Sequence, residues 1–277
     1  MRIAALLTCF NRKEKTCKCL ESLYDVRPDC DVYLVDDGCT DGTSEVIRKR
    51  FPKVKIIKGP GNLFWSRGMY MAWNEARKGE YDYYLWLNDD VELLPFFVDE
   101  LLKCEDIAGT DCIVSGLIGN INGDGVLYGG SDSNKHLLKE TGKPQDIKFM
   151  NGNVVLVPRG VVDEIGIIDP VLHHDLGDVD YGLTAQEHGI RVVTTTRIVA
   201  LGYPNNYCRV RKWGVNLVQR FKRLNHPLGS PLGINFYFRT KHFGVAKAVA
   251  FCSYLVLLNL LPDWVVEKIR GDAYKDR

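Results

Sequence analysis

No apolar run in this chain reaches the roughly 20 residues that a membrane-spanning helix needs. The longest, Ala248 to Leu261, is interrupted by Ser253 and Asn259 and predicts a buried or interfacial helix. The amino end shows no signal-peptide pattern, because Met1 and Arg2 lead straight into a short strand-like run that ends at Asn11 and Arg12. Nine cysteines are present, but no Cys-x-x-Cys pair and no cluster of histidines accompanies them. That argues against a zinc site and for small apolar fillers in a reducing, cytoplasmic compartment. Net charge is also scarce. Lys and Arg number 36 against 35 acidic residues, so the formal charge of +1 gives no global reason to expect nucleic-acid binding. Two phosphate-binding signatures are missing as well, the Gly-x4-Gly-Lys-Ser/Thr loop and the Gly-x-Gly-x-x-Gly turn.

What remains is the composition of an ordinary globular chain. Its 277 residues are 45% hydrophobic and 26% charged, enough for one large domain or a domain with a tail. Strand and helix patterns alternate through the first half. Strand-like runs at Ile3–Cys9, Val32–Val35, Val54–Ile57 and Tyr83–Leu87 are separated by helical patterns at Lys13–Tyr24, Ser44–Phe51 and Arg67–Lys78, with another at Pro95–Lys103. This rhythm predicts a largely parallel sheet covered on both faces. Further along, Cys112–Ile118, Gly152–Val157 and Ile190–Thr195 read as strands, and Val161–Ile165 and Val179–His188 as helices. From about Tyr203 the composition turns basic and aromatic, which suggests a domain over residues 1–202 and a helical extension over residues 203–277.

The chemistry concentrates at strand ends. In an open α/β sheet, ligands bind at the carboxyl ends of the strands. The first strand is followed by Phe10, Asn11 and Arg12, with Thr8 just inside it. The second delivers Asp36 and Asp37 onto a Gly38 turn, where adjacent acids can accept N–H and O–H bonds from a base and a ribose. A plain turn capped by Asp41 or Thr43 is the alternative. After the third strand, Gly59 to Gly68 forms a glycine-rich loop that holds Asn62, Trp65 and Arg67 and enters a helix. Helix N-termini favour anions, and a guanidinium pairs with phosphate oxygens. The fourth strand ends in Asn88, Asp89 and Asp90, hard oxygen ligands suited to Mg²⁺ or Mn²⁺ alongside substrate phosphates. A last acidic cluster spans His173, His174, Asp175, Asp178 and Asp180 at the start of a helix. A carboxylate there could act as a general base toward a sugar hydroxyl.

In this order, Thr8-x-x-Asn11-Arg12, Asp36-Asp37-Gly38, Gly61-Asn62 with Trp65 and Arg67-Gly68, Asn88-Asp89-Asp90, and Gly177-Asp178-x-Asp180 resemble one family. It is the inverting family-2 nucleotide-sugar glycosyltransferases, in the type that builds bacterial surface polysaccharides. The resemblance covers about Ile3 to Ile198. It implies a GT-A (nucleotide-diphospho-sugar transferase) α/β fold, with a mostly parallel mixed sheet flanked by helices and a helical C-terminal extension. Carried over by position, Thr8, Phe10, Asn11 and Arg12 would line the nucleotide pocket, and Asp36 or Asp37 would read the base. Asn62, Trp65, Arg67 and Gly68 would lie near the ribose, the diphosphate or the sugar. Asn88, Asp89 and Asp90 match the Asp-x-Asp motif, with Asp90 as the metal ligand. Asp178 matches the catalytic base, with Asp180 and His174 as secondary candidates. The chain departs from the pattern twice, with Asn88 in place of an acid and Gly177 in place of the Glu before Asp178.

The implied donor is a nucleoside-diphosphate sugar, with UDP or dTDP favoured, and the implied acceptor is a glycan or lipid-linked glycan. The extension interleaves Arg209, Arg211, Lys212, Arg220, Lys222 and Arg223 with Trp213, Leu217 and Phe221. Such a segment can rest on an anionic leaflet, which would place the protein peripherally on the inner face of the cell membrane. Packing on the core or forming a homodimer are its alternatives. Competing functions are a nucleotide-sugar-binding protein without turnover, or a nucleotidylyltransferase or phosphotransferase on a related sheet. The last two lack their own signatures, because no glycine-rich basic loop follows the first strand, and that strand does not end in an Asp nucleophile followed by Thr.

Overall fold

The computed structural model describes residues 1–109, 111–205 and 209–271. The chain divides into two compact units. Residues 1–170 and 177–204 form the first, and residues 171–176 with everything from Asn205 form the second.

The first unit runs β1 (Ile3–Cys9), α1 (Lys13–Val26), β2 (Asp31–Asp36), α2 (Thr43–Arg50), β3 (Lys55–Lys58), α3 (Phe64–Ala76) and β4 (Tyr83–Leu87). It continues through β5 (Glu92–Leu93), α4 (Phe97–Ala108), β6 (Ile113–Asn120), β7 (Val126–Tyr128), β8 (Val154–Pro158), α5 (Arg159–Ile165), α6 (Gly177–Glu187) and β9 (Val192–Gly202). The strands form one mixed sheet in the order β3-β2-β1-β4-β8-β6-β9-β5, with β7 on β6. β3, β2, β1 and β4 run parallel to one another, as βαβ connections require. β8 enters antiparallel between β4 and β6. This reversal brings the amino end of β8 to the same edge as the carboxyl end of β4, with Val154 opposite Leu87.

Alternation along the strands builds two cores. In β1, Ile3, Ala5, Leu7 and Cys9 face one layer, where Leu20 and Leu23 of α1, Ile47 of α2 and Phe97 and Leu101 of α4 meet them. Ala4 and Leu6 face the other, with Met69 and Trp73 of α3, Val161 of α5 and Tyr181 of α6. α3 buries Gly68, Met69, Ala72, Trp73 and Ala76 as an apolar helical stripe, with Ser66 buried in its first turn. Aromatic rings reinforce that face. Trp73, Trp86 and Tyr181 lie with centroids 5.3 Å apart in each pair, and Trp65 meets Trp86 edge-on at 5.9 Å.

The second unit is helical: α7 (Leu217–Leu224), α8 (Leu232–Phe243), α9 (Val245–Leu260) and α10 (Asp263–Arg270). Two residues of the basic segment lie inside it rather than on its surface. Arg211 and Arg220 are buried and both donate to Asp263 Oδ1, at 2.6 and 3.0 Å. Both also bond the carbonyl of Leu261 just past α9, at 2.9 Å each. Cations at a helix C-terminus satisfy orphan carbonyls and the helix dipole together. Arg209 pairs with Asp175. Among the described residues, no helix is long and apolar enough to cross a membrane. Residues 272–277 of the extension lie outside the described residues.

Candidate functional site

Three parallel strands end side by side, and the loops beyond them interlock. Asp36 ends β2 and Asp37 follows it immediately, and Asp37 N donates to the Cys9 carbonyl of β1 at 3.0 Å. Gly38 (φ +81°) then turns the chain, and a β-carbon on it would stand 2.9 Å from Cα of Gly61. Only glycine allows the two loops to approach so closely in that conformation.

The two acids have different partners. Asp36 is fully buried. It accepts from Cys39 N at 2.7 Å, from Lys58 Nζ at 2.5 Å, and from Ser44 Oγ. Burial alone would raise its pKa, but the Lys58 ammonium and the Ser44 and Cys39 donors outweigh that and hold it at about 2. Asp37 accepts Gly61 N on Oδ1 at 2.8 Å, and Leu63 N and Phe64 N on Oδ2 at 2.8 and 3.1 Å. It therefore caps α3 from another strand, where a carboxylate suits the positive end of the helix. Asp41 is a cap too, accepting Thr43 N at 3.1 Å and Lys13 N at 3.0 Å.

Asn11 and Phe64 adopt positive φ (51° and 58°), a conformation rare for non-glycine residues and concentrated at functional sites. Asn11 Oδ1 accepts Thr40 N at 2.7 Å, tying the β1 loop to the β2 loop. Phe10 is exposed beside it. Thr8 packs directly against Gly68, where α3 crosses β1 and no β-carbon would fit. Asn62 is exposed, and Arg67 donates from Nε to the Pro170 carbonyl at 2.9 Å.

At the end of β4, Arg12 Nη1 bridges Asp89 Oδ1 at 3.1 Å and Asp90 Oδ2 at 3.0 Å. Asp89 is buried and also accepts Thr16 Oγ1 at 3.2 Å. Burial pushes its pKa up to about 6, with Asp90 adding to the rise and Arg12 opposing it. For Arg12, burial works against the charge, yet Asp89 and Asp90 raise its pKa on balance. Asp90 is partly exposed, and its Oδ1 carries no hydrogen bond among the described residues. Among those residues no cluster of three His, Cys, Asp or Glu is poised to hold a metal. Asp90 nevertheless suits Mg²⁺ or Mn²⁺, which take one or two carboxylates and complete their shells with water and substrate phosphates.

Asn88 turns inward. Its Oδ1 accepts Trp65 Nε1–H at 2.7 Å, and its Nδ2 donates to Asn153 Oδ1. Asn153 Nδ2 donates onward to Asn151 Oδ1. Between these two, Gly152 N donates to Asp178 Oδ2 at 2.9 Å, while Asp178 Oδ1 accepts Val179 N at 2.8 Å. Asp178 therefore sits half-buried in the first turn of α6, attached to the loop before β8. A β-carbon on Gly152 would lie 2.6 Å from the Trp65 indole, and one on Gly177 would meet Ser66 Oγ. Trp65 and Ser66 occupy the space that side chains at 152 and 177 would need, so the glycine at 177 has a packing reason. Asp180 is buried, and His174 belongs to the second unit.

Asp37, Trp65, Asn88, Asp90, Arg12 and Asp178 are thus joined within one unit by direct or single-residue links. Lys58, Ser44, Asn151 and Asn153 belong to this arrangement and are absent from the strand-end reading. Lys58 was detectable as a lysine closing β3 next to two acids. The Asn-Gly-Asn run before β8 was detectable only by knowing that β8 runs backward.

A profile of the family described as glycosyl transferase family 2 matches residues 5–166. No curated protein matches the chain by sequence. Among solved structures, S. aureus TarS 1–349 aligns over 100% of this chain and 76% of its own length, with TM-score 0.60 and 12% identity. The same TarS fragment in complex with UDP-GlcNAc aligns over 98% of this chain and 76% of its own, with TM-score 0.57 and 11% identity. The mannosyltransferase PcManGT from Pyrobaculum calidifontis, in complex with GDP-Man and Mn²⁺, aligns over 99% and 81%. Its TM-score is 0.54 and its identity 15%. These likenesses, with the family match, show a GT-A α/β fold with a helical C-terminal region.

Proposed function

Because this chain belongs to glycosyl transferase family 2, we propose that it moves a sugar from a nucleoside diphosphate to a hydroxyl of a glycan or lipid-linked glycan, with inversion. The observation that carries this reading is the continuity of the site. The Asp37-capped loop, Trp65, Asn88 and the 151–153 loop lead in hydrogen-bonded or packed steps to Asp178.

Both acids are buried, but Asp36 commits Oδ1 to Cys39 N and Oδ2 to Ser44 and Lys58, so its task is to fix the turn. Asp37 Oδ1 accepts one protein N–H and has a lone pair for another, which suits the N3–H of uracil or thymine. UDP- and dTDP-sugars are therefore the favoured donors. Thr8, Phe10 and Asn11 would frame the base and ribose, and Asn62 and Arg67 would serve the diphosphate side, with Gly68 letting α3 pack against Thr8. Asp90 would hold Mg²⁺ or Mn²⁺, and such an ion, when bound, supplies positive charge to the departing diphosphate. Asp178 takes the proton from the acceptor hydroxyl as its oxygen bonds to the anomeric carbon. The bond from that carbon to the diphosphate oxygen breaks on the opposite face, and the nucleoside diphosphate leaves with the electron pair.

Residues 1–202 would form the catalytic domain, and the extension would serve the acceptor. Lys212, Lys222, Leu217, Val218 and Trp264 are exposed on the second unit, a combination suited to peripheral contact with an anionic membrane. Surface-polysaccharide assembly is the process this combination fits.

The test is donor hydrolysis and transfer over a panel of UDP-, dTDP- and GDP-sugars with Mn²⁺, run on wild type and Asp178→Asn. At least one donor should turn over in wild type, and the variant should lose about 10²- to 10⁴-fold in rate, the range for general-base catalysis. Full activity in Asp178→Asn would contradict the base assignment.

A further inference from the structure

The direction of the amide relay from Trp65 to Asn151 is set by donor-only groups at both ends. The indole Nε1–H can only donate, so the Asn88 atom facing it is Oδ1 and Asn88 Nδ2 must face Asn153. Asn153 then presents Oδ1 to Asn88 and Nδ2 to Asn151. At the far end Asn151 Oδ1 also accepts the backbone N–H of Asn153 at 3.3 Å, which forbids the reverse orientation. The backbone repeats the connection, with Asn88 N donating to the Asn153 carbonyl at 2.9 Å. Ser115 Oγ holds the Asn151 carbonyl at 2.9 Å. Gly152 lies between the last two amides, with the Trp65 ring on one side and Asp178 bonded to its N–H.

Position 88 must therefore accept from an indole and donate to an amide at once. An aspartate there can only accept when ionised, and an aliphatic residue can do neither. We propose that Asn88 is a positioning residue whose amide locks Trp65 and the 151–153 loop, and through Gly152 N–H sets the orientation of Asp178. Both of its polar atoms are committed inside the protein, so the amide is a requirement of this site and not a weakened metal ligand. The effect on turnover rests on Asp178 being the base, whereas the lock on Gly152 does not.

Two variants test this, Asn88→Asp and Asn151→Ala, the second acting from the far end of the relay. Each is measured for kcat and donor KM on the UDP- and dTDP-sugar panel, for the Mn²⁺ concentration giving half activity, and for amide exchange at Gly152. Both should lower kcat about 10- to 100-fold, with donor KM and the Mn²⁺ requirement little changed. Gly152 exchange should accelerate in both. Combining Asn88→Asp with Trp65→Phe should cost less than the sum of the two, because they interrupt one relay. An Asn88→Asp enzyme that keeps its kcat and needs less Mn²⁺ would overturn the proposal. Protection of Gly152 retained in both variants would also overturn it, whatever Asp178→Asn shows about the base.

Discussion

At the end of β2 and just past β4 the chain sets two acids in succession; Asp36, Asp37 and Asp89 are buried, and Asp90 is partly exposed. Asp36 has three separate donors: an ammonium, a hydroxyl and a backbone N–H. Asp89 has a threonine hydroxyl and one guanidinium nitrogen that it shares with Asp90. The outcomes are opposite, with Asp36 held at about 2 and Asp89 raised to about 6. Burial penalises the charge on both carboxylates; at Asp36 the three donors outweigh it, whereas Asp89 lies deeper among protein atoms, beside the like charge of Asp90, and its donors do not. Asp36 thus fixes its turn as a carboxylate, while Asp89 shares its guanidinium with Asp90.

The difference can be broken from the Asp36 side first. Lys58→Met removes the ammonium and leaves a buried carboxylate on two donors. Because Lys58 is largely exposed, the expected loss is about 1–3 kcal/mol at pH 7, read by chemical denaturation. The folded pKa of Asp36 is depressed, so its contribution is present above 3.8 and is lost as pH falls toward about 2. The deficit of Lys58→Met should shrink over that window. A constant deficit would mean the lysine acts by packing alone.

The Asp89 side gives a smaller effect of opposite sign. A carboxyl whose folded pKa is raised binds more protons folded than unfolded between 3.8 and about 6, so it costs stability as pH rises through that range. Asp89→Asn should flatten the pH dependence of the melting temperature there. An unchanged slope would assign the titration to another group.

The βαβ half of the fold was legible because parallel strands alternate with amphipathic helices and place their polar residues at one edge. Ile3–Cys9 and Tyr83–Leu87 come out of the pattern with their observed boundaries. α3 begins at Phe64, three residues before the helical pattern at Arg67, because Asp37 supplies its cap from a strand remote in sequence. No local signal carries that. β5 is only two residues long and β7 three, too short for any alternation to register. Asn151 and Asn153 were missed for a topological reason, since β8 runs antiparallel and the site residues precede it. The basic row of the extension leaves membrane contact and internal packing both open by charge alone, and Arg211 and Arg220 serve as internal caps of α9.

Calorimetric titration of UDP, dTDP and GDP, with and without Mn²⁺, on wild type and Asp90→Ala addresses most directly the claim that these strand ends hold a nucleoside diphosphate. UDP or dTDP should bind more tightly than GDP, Mn²⁺ should strengthen binding, and Asp90→Ala should weaken it about tenfold or more. Failure of all three nucleotides to bind, or binding indifferent to both Mn²⁺ and Asp90, would contradict the account.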